Sequence, residues 1–153
     1  MRVLLQRVSE ARVIVHSSTI GSIGTGLLAF IGVSRTDSGN DEDYLLDKIA
    51  NLRIFPDSAG KMNLNVQEAG GSLLLVSQFT LYADCRKGRR PSFDRAAAPE
   101  NARMLYDYFV EQARRLPIRV ETGMFQETMR VELVNQGPVT IWLDSAERSR
   151  GHL

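Results

Sequence analysis

A chain of 153 residues is the length of one domain and can bury about 68–70% of the surface it exposes when unfolded. Its 43% hydrophobic and 24% charged residues exclude a disordered or fibrous class, and a net charge of +1 leaves bulk electrostatics silent about nucleic acid. No apolar run approaches membrane-spanning length, Met1 to Arg7 is too short of apolar residues for a signal core, and the single Cys85 excludes an intrachain disulfide, so a cytoplasmic location is expected.

Arg2 to Val8 and Ala11 to His16 are rich in Val, Ile and Leu and predict two strands, the second alternating Val13 and Val15 against Arg12, Ile14 and His16. Ser17 to Gly26 reads as a turn region, and Gly26 to Val33 as a strand buried on both faces. Asn40 is placed to cap a helix whose first turn carries Asp41, Glu42 and Asp43, with Leu45, Leu46, Ile49 and Leu52 as its apolar stripe. Phe55 to Gly71, broken by Pro56 and three glycines, predicts loop with short extended pieces; Gly71 to Phe79 predicts a central strand.

A second helix starts at Pro99, carries Ala102, Leu105, Tyr106, Phe109, Val110 and Ala113 at helical spacing, and ends with Arg114 and Arg115 before Pro117. Strand-like segments follow at Ile118 to Glu121, Thr128 to Asn135 and Pro138 to Leu143, and a polar tail from Asp144 to Leu153 is expected to be loose. The pattern is one α/β domain of many strands and two helices.

The motifs of familiar hydrolases are missing. The two histidines, His16 and His152, lie near opposite ends, and there is no H-E-x-x-H, C-x-x-C or G-x-S-x-G, which argues against a metal site and against a nucleophile–base triad. Ser77, Gln78 and Thr80 instead bring polar groups to the end of an apolar strand, where open backbone N–H groups suit an oxyanion hole. Spacing alone favours a plainer reading, in which Ser77 and Thr80 satisfy the backbone as the strand ends. From Arg86 to Arg95 the chain sets five basic residues against one acid, either a solvated loop or a phosphate-binding one.

The run Ser77-Gln78-Phe79-Thr80-Leu81-Tyr82 and the run Asn135-Gln136-Gly137-Pro138-Val139-Thr140 together resemble the two signature motifs of the D-aminoacyl-tRNA deacylases. Gly24-x-Gly26-Leu27-Leu28, Arg53-Ile54-Phe55, Gly60-Lys61-Met62-Asn63-Leu64, Arg90-Pro91-Ser92-Phe93 and Leu105-Tyr106-Asp107-Tyr108-Phe109 also look like that family, in the expected order, over residues 1–143, with 144–153 as an additional tail. The resemblance implies a single compact α/β domain with mixed and antiparallel sheets and two main helices, assembled as a homodimer. It implies hydrolysis of the ester joining a D-amino acid, or glycine, to the 3′ end of tRNA, with no metal or cofactor and with neither a membrane nor DNA as partner.

In that resemblance the catalytic pocket is formed at Ser77, Gln78, Phe79 and Thr80, and the substrate's own ribose 2′-hydroxyl assists. A cis Gly137-Pro138 peptide serves as a chiral selector reaching into the partner subunit's pocket, with Asn135, Met129 and Phe125 beside the substrate, and Lys87, Arg89, Arg90 and Arg95 meet the tRNA. Two departures stand out: Gln126-Glu127-Thr128 after Phe125, where many relatives carry a small-small-acid run, and Gln136, where Asp is common. The competing readings are a non-catalytic nucleic-acid-binding dimer using the Arg86 to Arg95 loop, and a purely structural domain.

Overall fold

The aliphatic residues of the first fifteen positions form one strand, β1 (Arg2–Val15), rather than two. Ser9 and Glu10 do not end it, because β1 shifts register against its neighbour between Gln6 and Val8 and again between Val8 and Glu10. Such bulges bend a strand while pairing continues beyond them. The structure, a computed structural model, describes residues 1–148.

His16 and Ser17 sit at φ 47° and 66°, the two-residue hairpin geometry that matches strand twist. The chain therefore turns back at once into β2 (Ser18–Ile23), antiparallel to the second half of β1, in a segment the residue types predicted as turn alone. Then β3 (Gly26–Gly32) pairs antiparallel with the first half of β1. Helix α1 (Gly39–Asn51) is capped by Ser38 rather than Asn40, which lies inside the first turn; the Asp41 carboxylate accepts from the Ser38 N–H at 2.9 Å and its hydroxyl at 3.1 Å.

A small hairpin of β4 (Phe55–Pro56) and β5 (Met62–Leu64) completes the crossover to β6 (Ser72–Ser77), which runs parallel to β3. Helix α2 (Pro99–Ala113), with Pro99 in its first turn, leads to β7 (Val120–Thr122), parallel to β6. The last strand, β8 (Arg130–Asp144), is one continuous antiparallel partner for β1 where the residue pattern predicted two separate strands. The sheet order is β2-β1-β3-β6-β7, with β8 on β1.

Strict alternation in β3 and β6 divides the interior in two. Leu27, Ala29, Ile31, Leu73 and Leu75 pack with Val3 and Leu5 against Leu45 and Ile49 of α1 and Tyr106, Phe109 and Ala113 of α2. Leu28, Leu74 and Val76 face the other way, onto Val8, Ala11, Val13, Val15 and Ile23. The far half of β1 thus curls with β2 over the second face, and Gly21 of β2 lies against the Thr122 carbonyl of β7. Each fully buried aliphatic side chain contributes about 1.5–3 kcal/mol, which is why strands apolar on both sides occupy the centre.

The start of the expected loose tail is anchored. Ser145–Glu147 forms a 3₁₀ turn, Ser145 is buried with its N–H bonded to the Met1 carbonyl at 2.9 Å, and Arg2 holds Asp144 at 3.0 Å. The remainder of that tail, with His152, falls outside the described residues.

Candidate active site

The parallel ladder between β3 and β6 stops at Ile31 and Ser77, and the Gln78 N–H still bonds the Ile31 carbonyl at 2.8 Å. The chain then folds into a 3₁₀ turn, Phe79–Tyr82, which shortens the strand predicted to reach Phe79. Gly32 makes room for that turn: a Cβ there would meet the Leu81 Cβ at 3.0 Å and the Gln78 carbonyl at 3.1 Å. The Leu81 N–H returns to the Gln78 carbonyl, whereas the N–H groups of Phe79 and Thr80 have no main-chain acceptor among the described residues. Two adjacent free donors at the end of a buried strand are what a developing oxyanion requires.

The Gln78 carboxamide donates to the Thr80 hydroxyl oxygen at 2.5 Å. An amide is no base in either orientation, so this contact orients the hydroxyl without activating it as a nucleophile. Behind the strand, the buried Tyr106 hydroxyl donates to the Leu75 carbonyl at 2.9 Å and tethers α2 to β6. Burial pushes the Tyr106 phenol well above its ordinary range, so it remains a neutral donor.

Ser77, Gln78 and Phe79 line a cavity of about 600 Å³ together with Phe93, Ala96, Phe125, Glu127, Met129 and Val131. Phe79 is 54% exposed and meets Phe93 edge-to-face at 4.9 Å. Phe125 leans on Tyr106 at 5.9 Å, and Met129 accepts the Met124 N–H on its sulfur at 3.4 Å, which fixes the turn that carries Phe125. Thr80 lies one residue beyond the lining and is exposed. Among the described residues no group of three His, Cys, Asp or Glu side chains is arranged to hold a metal ion.

The chain does not bring Asn135, Gly137 or Pro138 to this cavity. They lie where β8 bulges opposite Arg7, and the Gly137-Pro138 peptide is cis, the isomer the family resemblance implies. The bulge is pinned from within and from outside. Asn135 accepts the Val139 N–H at 2.8 Å and donates to the Val139 carbonyl at 3.2 Å. Arg7 donates to the Gln136 carbonyl at 2.8 Å and the Ile54 carbonyl at 2.6 Å. Gly137 sits at φ +146°, and a Cβ on it would come within 2.9 Å of the Arg7 guanidinium. Both Gly137 and Pro138 are nevertheless exposed.

Arg7 is the functional candidate that sequence reasoning missed. Its only signal was a long cationic side chain in an otherwise apolar strand. In the basic loop, Asp84 and Ser92 close a hairpin-like ring through bonds of 2.7 and 2.9 Å. Arg86 is held by Asp84, whose carboxyl it keeps well below the usual carboxylate range. Lys87, Arg89 and Arg90 project with no side-chain partner among the described residues, and Arg95 lies over the Tyr82 ring at 5.9 Å.

Fold and site together define a small mixed-sheet α/β protein with a cavity of free amides, a hydroxyl and a carboxamide, suited to acyl chemistry without a side-chain nucleophile. A family model described as D-Tyr-tRNA(Tyr) deacylase matches residues 4–144, and the chain belongs to that family. A "D-aminoacyl-tRNA deacylase" of Solibacter usitatus is 59% identical over 98% of this chain and 99% of its own, and one of Thermotoga petrophila is 54% identical over 96% and 99%. A solved structure titled "c-Myc DNA Unwinding Element Binding Protein" superposes with a TM-score of 0.89 at 37% identity, covering 94% of this chain and 98% of that one. A second, titled "Structural Analysis of a probable eukaryotic D-amino acid tRNA deacylase", shares the fold at a TM-score of 0.76 and 18% identity, covering 93% and 97%. No helix of the described residues is long and apolar enough to cross a membrane.

Proposed function

We propose that this chain hydrolyses the ester of D-aminoacyl-tRNA, and of glycyl-tRNA, as a cytoplasmic homodimer in which the Gly137-Pro138 bulge of one copy closes the Ser77–Thr80 cavity of the other. Deacylase activity follows from membership of the family. One contrast carries the finer reading: the bulge is exposed and pinned on both sides, yet it does not line the Ser77–Phe79 cavity of its own chain. A second copy supplies what one chain lacks.

Water attacks the ester carbonyl, and the free N–H groups of Phe79 and Thr80 receive the oxyanion. The terminal ribose 2′-hydroxyl of the tRNA assists the proton transfers. Thr80, oriented by Gln78, positions the substrate and forms no acyl-enzyme. Against a main-chain wall, the side chain of an L-residue collides while that of a D-residue leaves toward solvent. Discrimination of ten-thousandfold needs about 5.5 kcal/mol, at about 1.4 per tenfold, which a collision with a fixed backbone supplies. Glycine has no side chain to reject and is accepted. Lys87, Arg89, Arg90 and Arg95 hold the tRNA backbone.

The test is amino-acid release from tRNA charged with D-tyrosine, L-tyrosine or glycine, with EDTA present, by wild type and Thr80→Ala. Rapid loss of the D-tyrosyl and glycyl esters alone supports the reading. If all three esters survive while the tRNA still binds, a non-catalytic RNA-binding module takes its place. An acyl-enzyme trapped on Thr80 would overturn the positioning role.

A further inference from the structure

The 3₁₀ turn that presents the Phe79 and Thr80 N–H groups is weakly held by its own main chain. Its Leu81 N–H reaches the Gln78 carbonyl at 3.3 Å, and the Asp84 N–H, which could have continued the turn onto the Leu81 carbonyl, goes to the Ser92 carbonyl at 2.7 Å instead. The Leu81 carbonyl is left to a side chain: Arg2 of β1 donates to it from Nη1 at 3.0 Å. Each residue has only two soft backbone dihedrals, so a fixed Leu81 carbonyl leaves little freedom to the Thr80 N–H two peptide planes before it.

We propose that Arg2 is a positioning residue for deacylation: braced by Asp144, it clamps the Phe79–Tyr82 turn through the Leu81 carbonyl and keeps the two free N–H groups aimed at the developing oxyanion. The inference rests on those N–H groups receiving the oxyanion. Arg2 does not line the Ser77–Phe79 cavity, so it acts through the turn alone.

The ladder explains how the clamp is built. Arg2 stands opposite Gly32 of β3 and opposite Asp144 of β8, and directly opposed residues of antiparallel strands share a face. On one side the glycine leaves the strip open, where a Cβ would lie 3.0 Å from the Leu81 Cβ and 3.3 Å from the Tyr82 ring. On the other, the Asp144 carboxylate accepts from the Arg2 Nε at 3.0 Å, so separate donors of one guanidinium serve the turn and the brace. The guanidinium carbon lies 4.5 Å from the centre of the buried Tyr82 ring and 5.3 Å from that of Trp142. Arg2 is 19% exposed and Asp144 10%, so the pair is not one of the water-screened surface contacts that hold little.

The experiment measures D-tyrosyl- and glycyl-tRNA hydrolysis by wild type, Arg2→Met and Arg2→Lys. An oxyanion donor acts in the transition state, so its misplacement appears in kcat. Arg2→Met keeps an apolar stem beside Tyr82 but has no donor, and should lower kcat about tenfold on both esters with KM within about twofold. Arg2→Lys, with a charged donor but no fork, should recover part of that loss. An unchanged kcat in Arg2→Met, a loss carried by KM, or a lysine variant no better than the methionine one overturns the proposal. Should Arg2→Met fail to fold, Asp144→Ala gives a milder version of the same test: kcat about threefold lower at constant KM is expected, and an unchanged kcat overturns the clamp. Gly32→Ala separates failure of the clamp from failure of the site. If it lowers kcat and Arg2→Met does not, the turn receives the oxyanion without help from Arg2; if neither does, the oxyanion forms elsewhere and both readings fall.

Discussion

The end of β6 and the bulge of β8 are built by opposite means. At Ser77 to Thr80 a buried strand stops, a short turn leaves two main-chain N–H groups without acceptors among the described residues, and a cavity opens beside them. At Asn135 to Val139 the chain leaves its ladder briefly, yet its backbone groups are held by Asn135 inside the bulge and by Arg7 across it. The first region is a recess with unsatisfied donors; the second is an exposed projection braced by its own hydrogen bonds. In the proposed function the unsatisfied donors receive the substrate, and the braced projection selects by shape.

The largest expected effect comes from disturbing the projection. Gly137→Ala places a Cβ at 2.9 Å from Arg7 and Val139 in a backbone region that favours glycine, and should cut kcat/KM on D-tyrosyl-tRNA on the order of 100-fold with little change in Tm. An unaltered rate would separate the bulge from the activity. Arg7→Ala, which removes the two outer hydrogen bonds, should cost about tenfold in kcat/KM and narrow the ratio of D- to L-tyrosyl rates. A slower rate with an unchanged D/L ratio would mean that Arg7 does not position the selector.

Disturbing the recess should act differently. Gly32→Ala pushes on Leu81 and Gln78, and we expect about 1–3 kcal/mol of destabilisation in a urea melt together with a fall in kcat for D and glycyl esters alike. A smaller effect is expected from charge removal at Lys87, Arg89 and Arg90. If these cations meet phosphates, replacing each by alanine should reduce the slope of log affinity against log salt by about 0.7–0.9, with the D/L ratio unchanged.

Glu42 tests whether stability and activity separate. It is 1% exposed, neither carboxylate oxygen has a partner among the described residues, and burial, reinforced by Asp43, Asp37 and Asp41, pushes its pKa up to about 8. The folded state then holds a proton that the unfolded state releases near 4.5, so stability should fall as pH rises between these values, by up to about 1.4 kcal/mol per unit, and level off above about 8. Glu42→Leu should abolish this slope, raise Tm at pH 8 and leave deacylation unchanged. A slope that persists in the variant would place the pH dependence elsewhere.

Much of this was legible from residues. Val, Ile and Leu in β3 and β6 announced strands buried on both faces, Pro99 and the apolar stripe announced α2, and the Ser77 to Tyr82 and Asn135 to Thr140 runs coincide with the recess and the bulge. Those signals are local: burial on both faces needs apolar residues at every position, and a helix needs its face every three or four.

What tertiary structure alone decided was pairing. Ser17 to Gly26 read as a turn because serine and glycine are poor strand formers, yet β2 exists because β1 lies beside it to supply partners. The Gly137-Pro138 step read as a gap between strands, yet β8 continues through it because β1 is long enough to resume the ladder. Arg7 was invisible for the same reason, since its acceptors at Ile54 and Gln136 are far away along the chain. Composition and spacing determined which apolar segments become central strands and helices; the partner of each backbone group was set only when distant strands came within hydrogen-bonding distance.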